Sequence, residues 1–210
     1  MNKLRDLSAS SLGEAVQVVR EGGVIAFPTE TFYGLGTCPF NAQAVQRIFD
    51  LKGRALQAAP ILVLIRSRTD LEALTSEIAQ TAERLMETYW PGPLTLVFRA
   101  SDSVPSVLTA GTGTIGIRLS AHADVQRLLA AVGGPLTGTS ANRSGHPPAT
   151  TAEEVDRVVG TDVDLILNGG ETPGGLPSTV VDTTMAPPRL VREGRIPKAA
   201  LLSILDSLAA

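Results

Sequence analysis

Strand-like and helix-like segments alternate along almost the whole chain, and this alternation restricts the fold to the α/β class. Short apolar runs typical of buried strands occur at 60–65, 94–98, 115–119 and 163–167. Segments with the 3–4 spacing of a helix face lie between them, at 42–52, 76–89 and 122–132. Because strands and helices are interleaved, the sequence predicts one α/β domain with a mixed sheet and flanking helices.

Composition limits the class of protein and its compartment. The chain has 210 residues, of which 43% are hydrophobic and 19% are charged, and this suits one globular domain with a sizeable core. A net charge of −3 argues against a strongly electrostatic nucleic-acid binder. The single cysteine, Cys38, excludes an internal disulfide, and with two histidines it cannot build a His/Cys metal cluster. Without a signal-peptide pattern or an apolar run of about 20 residues, we expect a cytoplasmic protein with no membrane association.

A ligand-binding corner is predicted between residues 23 and 36. The apolar run 23–27 ends at Pro28, which cannot continue the hydrogen-bond ladder of a strand. The next three residues, Thr29–Thr31, are polar and lie at the carboxyl end of that strand, where open α/β sheets bind ligands. Gly34 and Gly36 follow and predict a tight turn.

Two familiar motifs occur in contexts that do not suit them. The spacing Gly111-x-Gly113-x-x-Gly116 matches a dinucleotide-binding fingerprint, but a strand-like segment follows it instead of a helix. The segment 138–142 resembles a nucleophile elbow, yet Asn142 replaces its second glycine. We therefore expect neither a Rossmann site nor a Ser-His-Asp triad.

Anion-binding side chains accompany loops rich in glycine and hydroxyl groups. Four cationic residues lie beside turns: Lys52, Arg54, Arg118 and Arg192. The loops are 29–31, 111–114, 140–145 and 177–179. Arginine binds carboxylates and phosphates through two parallel hydrogen bonds, and loop amides complete anion sites. With no good nucleophile or histidine base, this set indicates chemistry by positioning and charge stabilisation, as in phosphoryl or nucleotidyl transfer.

Several of these motifs occur together in a fixed order. They are Pro28–Gly36, Lys52-Gly53-Arg54, Ser140–Gly145, Ser178–Asp182 and Arg192-x-Gly194. In this order they resemble the YrdC-like family, the threonylcarbamoyl-AMP synthases of tRNA modification, in its short single-domain form. The resemblance covers residues 10–195 and implies a catalytic domain with a twisted sheet and a concave, positively charged cavity. A C-terminal helix over 196–210 is expected to pack on the same domain.

The resemblance implies a nucleotidyltransferase that makes L-threonylcarbamoyladenylate and pyrophosphate from L-threonine, bicarbonate and ATP. Magnesium would arrive on the ATP, with no protein metal site, and the product would pass to a tRNA threonylcarbamoyl transferase complex, with at most weak direct tRNA binding. By position, the residues that would hold threonine are Thr31, Arg118 and Ser178. Those that would contact ATP are Arg54, Thr114, Ser140, Asn142 and Arg192. Lys52 and Arg54 would be catalytic at the phosphates, while Thr29 and Glu30 would shape the turn.

Four positions depart from the family pattern. Ala55 stands where the family has proline, and Ala59 where it has an asparagine that contacts ATP. Leu64 replaces a histidine, and Pro148 replaces a serine. These departures leave open a paralogue of the same fold with different acyl-adenylate chemistry. A non-catalytic RNA-binding module is the third alternative.

Overall fold

The computed structural model describes residues 3–53 and 60–201, and in them the strands form two mixed sheets where the sequence predicted one. The five-stranded sheet has the order β1-β9-β2-β3-β8, and the six-stranded sheet has the order β11-β10-β5-β6-β4-β7. The strands are β1 Leu4–Asp6, β2 Ile25–Phe27, β3 Gly34–Gly36, β4 Val63–Ile65, β5 Leu94–Arg99, β6 Thr114–Leu119, β7 Leu136–Thr137, β8 Thr139–Ser140, β9 Leu165–Asn168, β10 Thr179–Asp182 and β11 Arg189–Arg192. Both sheets contain parallel and antiparallel pairs.

The helices are α1 Ala9–Arg20, α2 Ala42–Lys52, α3 Arg68–Leu74, α4 Gln80–Tyr89, α5 Ala123–Val132 and α6 Ala152–Val159. The predicted ends of α2 are confirmed, since the Asn41 side chain accepts hydrogen bonds at its start and Gly53 is left-handed at its end. The final predicted helix is described only over 198–201, and the remainder lies outside the described residues. Within the described parts of the chain, no helix is long and apolar enough to cross a membrane.

The prediction of a tight turn at Gly34 and Gly36 was wrong. Both glycines lie in β3, which pairs with β2 and, like β1, was not predicted as a strand. A Cβ on Gly36 would lie 2.6 Å from Cε1 of Phe27. Glycine is therefore required there by the close approach of an aromatic ring.

The two faces of the six-stranded sheet differ in chemistry. One face buries apolar side chains in the main core, including Leu96, Ile117 and Val181. Side chains alternate along each strand, so the opposite face carries the intervening residues. On β5, β6 and β11 these are Thr95, Val97, Arg99, Thr114, Gly116, Arg118, Arg189 and Arg192. At the β4–β7 end of this face, Leu64 and Leu136 instead pack in a second apolar cluster with α1 and α5. The polar part of the face is therefore limited to β5, β6, β10 and β11.

The segment 136–140 joins the two sheets. Its first half, β7, pairs with β4 of the six-stranded sheet, and its second half, β8, pairs with β3 of the five-stranded sheet. Gly138 separates the halves, and a Cβ there would lie 2.7 Å from Cγ of Leu64. The crossing therefore brings the loop that follows Ser140 to the junction of the sheets.

Candidate functional site

The backbone carbonyls of the loop between β2 and β3, residues 28–33, accept hydrogen bonds from three other segments of the chain. Tyr33 O accepts from Ala141 N (2.7 Å), Thr31 O from Gly174 N (2.7 Å), and Glu30 O from Arg195 Nη1 (3.0 Å). Inside the loop, the Thr29 hydroxyl donates to Phe32 O and accepts from the Thr31 N–H. The prediction that Thr29 shapes the turn is therefore confirmed, and the loop connects the rest of the site.

Lys52, Ser140 and Asn142 form the first polar group of the site, which we call the Lys52 cluster. Lys52 is in the last turn of α2 and is only 5% exposed. Its Nζ donates to Ser140 O (2.7 Å), Asn142 O (3.1 Å) and Asn142 Oδ1 (2.8 Å). The Ser140 hydroxyl donates to the same Oδ1 at 2.7 Å. The structure thus brings together three predicted residues, and the ammonium donates to three oxygen atoms of the loop.

Arg54 and Thr114 were also predicted to contact ATP. Arg54 lies outside the described residues, so its catalytic and ATP-binding roles stay predictions. Thr114 begins β6 inside the glycine motif, as its strand-like context predicted, and its hydroxyl lies 2.9 Å from that of Thr112. It shares a face with Arg118 and is four residues from it, about 13 Å along an antiparallel strand.

Arg118 is a buried cation whose charge and hydrogen-bond donors are only partly paired with other groups. The residue is 3% exposed, and its Nη2 lies 3.5 Å from Oε2 of Glu30. Its Nε has no hydrogen-bond partner among residues 3–53 and 60–201. Burial lowers the pKa of Arg118, the Glu30 charge opposes this, and the charges of Arg192 and Arg195 lower the pKa further. A buried donor that lacks an acceptor is costly, so this guanidinium is suited to bind an anion.

Glu30 does more than the sequence predicted, which was only that it shapes the turn. Its Oε2 accepts a 2.7 Å hydrogen bond from the Ser120 hydroxyl and faces Arg118. We call Glu30, Arg118 and Ser120 the Glu30–Arg118 cluster. Sequence reasoning missed Glu30 and Ser120 as site residues. The available signal was Arg118 itself, because an arginine on a buried strand requires a nearby counter-charge.

Ser178 and Arg192 meet beside this cluster. Ser178 is 3% exposed, and its hydroxyl lies 2.9 Å from that of Thr95 on the neighbouring strand β5. Arg192 Nη2 donates to Ser178 O at 2.9 Å and to the Ser178 hydroxyl at 3.3 Å. Thr95 was not predicted as a site residue. The predicted threonine contact and the predicted ATP contact are therefore in direct contact with each other.

The Sua5/YciO/YrdC family model, whose description is telomere recombination, matches residues 17–194. The chain belongs to this family. The match includes every predicted site residue, from Thr31 to Arg192, and therefore both polar clusters.

Two curated relatives of the family are named threonylcarbamoyl-AMP synthase. The protein from Pyrococcus abyssi is 41% identical over 194 residues, which are 92% of this chain and 57% of that protein. The protein from Thiobacillus denitrificans is 40% identical over 164 residues, which are 78% of this chain and 86% of that protein. The chain therefore spans little more than half the length of the Pyrococcus relative and most of the Thiobacillus relative.

A solved structure of the family has the same fold. The crystal structure of P. abyssi Sua5 complexed with L-threonine superposes with a TM-score of 0.90 at 39% sequence identity. The match covers 97% of this chain and 60% of that chain. The prediction of a YrdC-like α/β fold is confirmed, whereas the boundaries at 10–195 and 196–210 stay predictions.

Proposed function

We propose that the chain is a threonylcarbamoyl-AMP synthase, a nucleotidyltransferase that uses L-threonine, bicarbonate and ATP. The names and identities of the two relatives support this proposal. The observation that carries it is the buried, under-paired Arg118 guanidinium beside the loop that bears Thr31. An enclosed guanidinium is the group that best binds the carboxylate of an amino acid in a water-poor site.

On the threonine side, Arg118 would bind the substrate carboxylate, while the Thr31 and Ser178 hydroxyls would bind its polar groups. Both hydroxyl-bearing residues are buried. Leu64, where the family pattern has a histidine, pairs with Arg118 in the β4–β6 ladder and is fully buried. No imidazole would therefore contact the substrate from that position, and an aliphatic side chain would lie there instead.

On the nucleotide side, the Lys52 cluster and Arg54 would bind the phosphates, with Thr114 and Arg192 as further ATP contacts. The reaction has two steps. The ammonium of threonine first loses a proton to solvent, and the free amine and bicarbonate then give a carbamate and water. A carbamate oxygen then attacks the α-phosphorus of ATP, and the bond from that phosphorus to the pyrophosphate oxygen breaks. Because carbamates are unstable in water, a closed site and accurate placement would contribute more than a strong base.

Magnesium would enter on the phosphates of ATP. Magnesium prefers oxygen ligands and commonly takes them from substrate phosphates, water and one or two protein groups. Within the described ranges, no group of three His, Cys, Asp or Glu side chains is arranged to hold an ion. The side chains at the Lys52 cluster, an ammonium, a hydroxyl and an amide, fit a nucleotide that brings its own cation. Bound there, the ion would offset the charge of the phosphates.

The product would be consumed by a transferase complex that modifies tRNA, and both reactions would take place in the cytoplasm. Direct binding of tRNA by this chain would be weak at most. With a net charge of −3, contacts to the nucleic-acid backbone would be few and their affinity would fall steeply with salt. A gel shift with tRNA across a salt series measures this directly.

The experiment that tests the function is a mass-spectrometric search for threonylcarbamoyladenylate after incubation with L-threonine, bicarbonate and magnesium-ATP. We expect a product that carries the label of ¹³C-bicarbonate, formed together with pyrophosphate. Reactions without threonine or without bicarbonate are the controls. If the adenylate is absent while a synthase of known activity makes it in the same buffer, the proposal is wrong.

A further inference from the structure

Unpartnered buried polar atoms are concentrated in one patch of the described structure. Within residues 3–53 and 60–201 they are Glu30 Oε1, Arg118 Nε and His122 Nδ1. The first two belong to side chains that pair at 3.5 Å, and the Ser120 hydroxyl, which donates to Glu30 Oε2, accepts from the backbone N–H of His122. Each such atom costs about 1–3 kcal/mol when nothing satisfies it. The concentration of this cost in one patch indicates a place that a polar ligand occupies.

The chemistry of two of these atoms restricts the ligand. Arg118 Nε is a donor on a cation and requires an acceptor, whereas Glu30 Oε1 is an acceptor on an anion and requires a donor. They do not satisfy each other, because the nearest contact between the side chains joins Nη2 to Oε2 at 3.5 Å. The complementary ligand therefore carries a negative and a positive group close together. An α-amino acid has this arrangement on a single carbon atom.

We propose that Glu30 binds the ammonium group of the amino-acid substrate, beside the carboxylate held by Arg118. This inference rests on the proposed function and adds Glu30 to it as the residue that recognises the amino group. Ser120 is a positioning residue, since its hydrogen bond to Oε2 fixes the carboxylate and leaves Oε1 available for the ligand. The backbone of Glu30 is also fixed, because its carbonyl accepts from Arg195.

Two other roles for Glu30 make opposite predictions. If the carboxylate only orients Arg118, its loss weakens every ligand that has a carboxylate, with or without an amine. If it only repels the substrate carboxylate, its loss strengthens binding. An ammonium-binding role weakens only ligands that carry the amine. Ligands that differ in this one group therefore separate the three roles.

The test is calorimetric titration of the full chain with two ligands, L-threonine and the 3-hydroxybutanoate of matching configuration, in which a hydrogen replaces the amine. In Glu30→Gln we expect the Kd for threonine to rise at least tenfold and the Kd for 3-hydroxybutanoate to change less than twofold. Glu14→Gln is the matched control, because Glu14 also pairs with an arginine but is exposed on α1. It should bind both ligands as wild type does.

Any other pattern overturns the inference. If the Kd values of both ligands rise equally in Glu30→Gln, Glu30 only orients Arg118. If threonine binds more tightly, Glu30 only repels the substrate carboxylate, and if neither Kd changes, water alone fills the patch.

If these results occur while the adenylate is still formed, the proposed function stands without the inference. A wild-type protein that binds neither threonine, serine nor glycine overturns both. Should Glu30→Gln not fold, Glu30→Asp, which retracts the carboxylate but keeps its charge, should weaken threonine selectively.

Discussion

The two polar clusters of the site are both buried, yet they differ in how well their groups are satisfied. In the Lys52 cluster, an ammonium reaches three oxygen acceptors within 3.1 Å. In the Glu30–Arg118 cluster, opposite charges stand 3.5 Å apart, and an atom on each side has no partner in the described structure. A satisfied polar network stabilises one loop conformation, whereas an unsatisfied one costs stability. The comparison indicates that the fold alone holds the Lys52 cluster in its arrangement, whereas the Glu30–Arg118 cluster has groups that a ligand can still satisfy.

The largest effect is expected from Arg118→Met. Threonine-dependent pyrophosphate release should fall about a thousandfold, since the loss of a buried charged contact costs about 4 kcal/mol. The free energy of unfolding should fall by less than about 3 kcal/mol, because removal of a desolvated cation offsets part of the cost of leaving the Glu30 carboxylate without its counter-charge. Kinetics of kcat/KM and urea unfolding measure the two quantities.

Arg84→Met is the matched control for Arg118→Met, because Arg84 is an exposed arginine on α4, outside the sheet that carries Arg118. It should change neither activity nor stability. If Arg118→Met instead lowers the free energy of unfolding by more than about 3 kcal/mol, the typical effect of breaking a buried pair, Arg118 is a structural residue. The contrast between the clusters would then be lost.

Lys52→Met should lower the stability of the fold more than Arg118→Met does, and it should also lower the activity. The free energy of unfolding should fall by about 3 kcal/mol, since Ser140 O, Asn142 O and Asn142 Oδ1 would lose a charged donor. Activity should fall as well, because the loop that carries Ser140 would lose its anchor. Urea unfolding of this variant is compared with that of Lys198→Met, which removes an exposed lysine. Unchanged stability would assign Lys52 to ligand binding alone.

Much of the fold could be predicted from sequence, because most strands and helices have strong local patterns. The helix at 42–52 was predicted with its observed bounds, which Asn41 and Gly53 delimit. The strands β1 and β3 could not be predicted in this way. Leu4–Asp6 is short and partly charged, and it is a strand because it pairs with β9. Gly34–Gly36 has the composition of a turn and becomes a strand through its pairing with β2.

The site was predictable only in part, for a related reason. Arg118, Ser178 and Lys52 were identified because cationic and hydroxyl side chains stand out beside turns. The role of Glu30 depends on Ser120, which is 90 residues away along the chain, and no local pattern contains that contact. Thr95 depends in the same way on Ser178 across the β5–β10 pairing. Side-chain contacts between distant strands decide these roles, and they become visible only after folding.

The smallest effects come from a matched pair of serine substitutions, Ser120→Ala and Ser140→Ala. Each removes one hydroxyl hydrogen bond, worth about 1 kcal/mol or about fivefold in an equilibrium constant. Ser120→Ala leaves Glu30 Oε2 without its 2.7 Å donor, so the KM for threonine should rise about fivefold while the KM for ATP is unchanged. In Ser140→Ala, Asn142 Oδ1 still accepts from Lys52, so the loop is kept. Loss of the proposed ATP contact should raise the KM for ATP alone.

Steady-state kinetics with each substrate varied in turn measure both constants for both variants. A common structural effect would raise the same KM in the two proteins, and that result would contradict the division of the site into two clusters. If Ser120→Ala raises only the KM for threonine and Ser140→Ala raises only the KM for ATP, each cluster acts on its own substrate. This would hold although the backbone of Tyr33, in the loop 28–33, is hydrogen-bonded to Ala141 beside the Lys52 cluster. Such independence is expected where a rigid backbone connects two sites and neither side chain has to move. We therefore expect that the loop 28–33 connects the Lys52 cluster to the Glu30–Arg118 cluster, and that the loss of one hydrogen bond in either cluster does not change the KM that depends on the other.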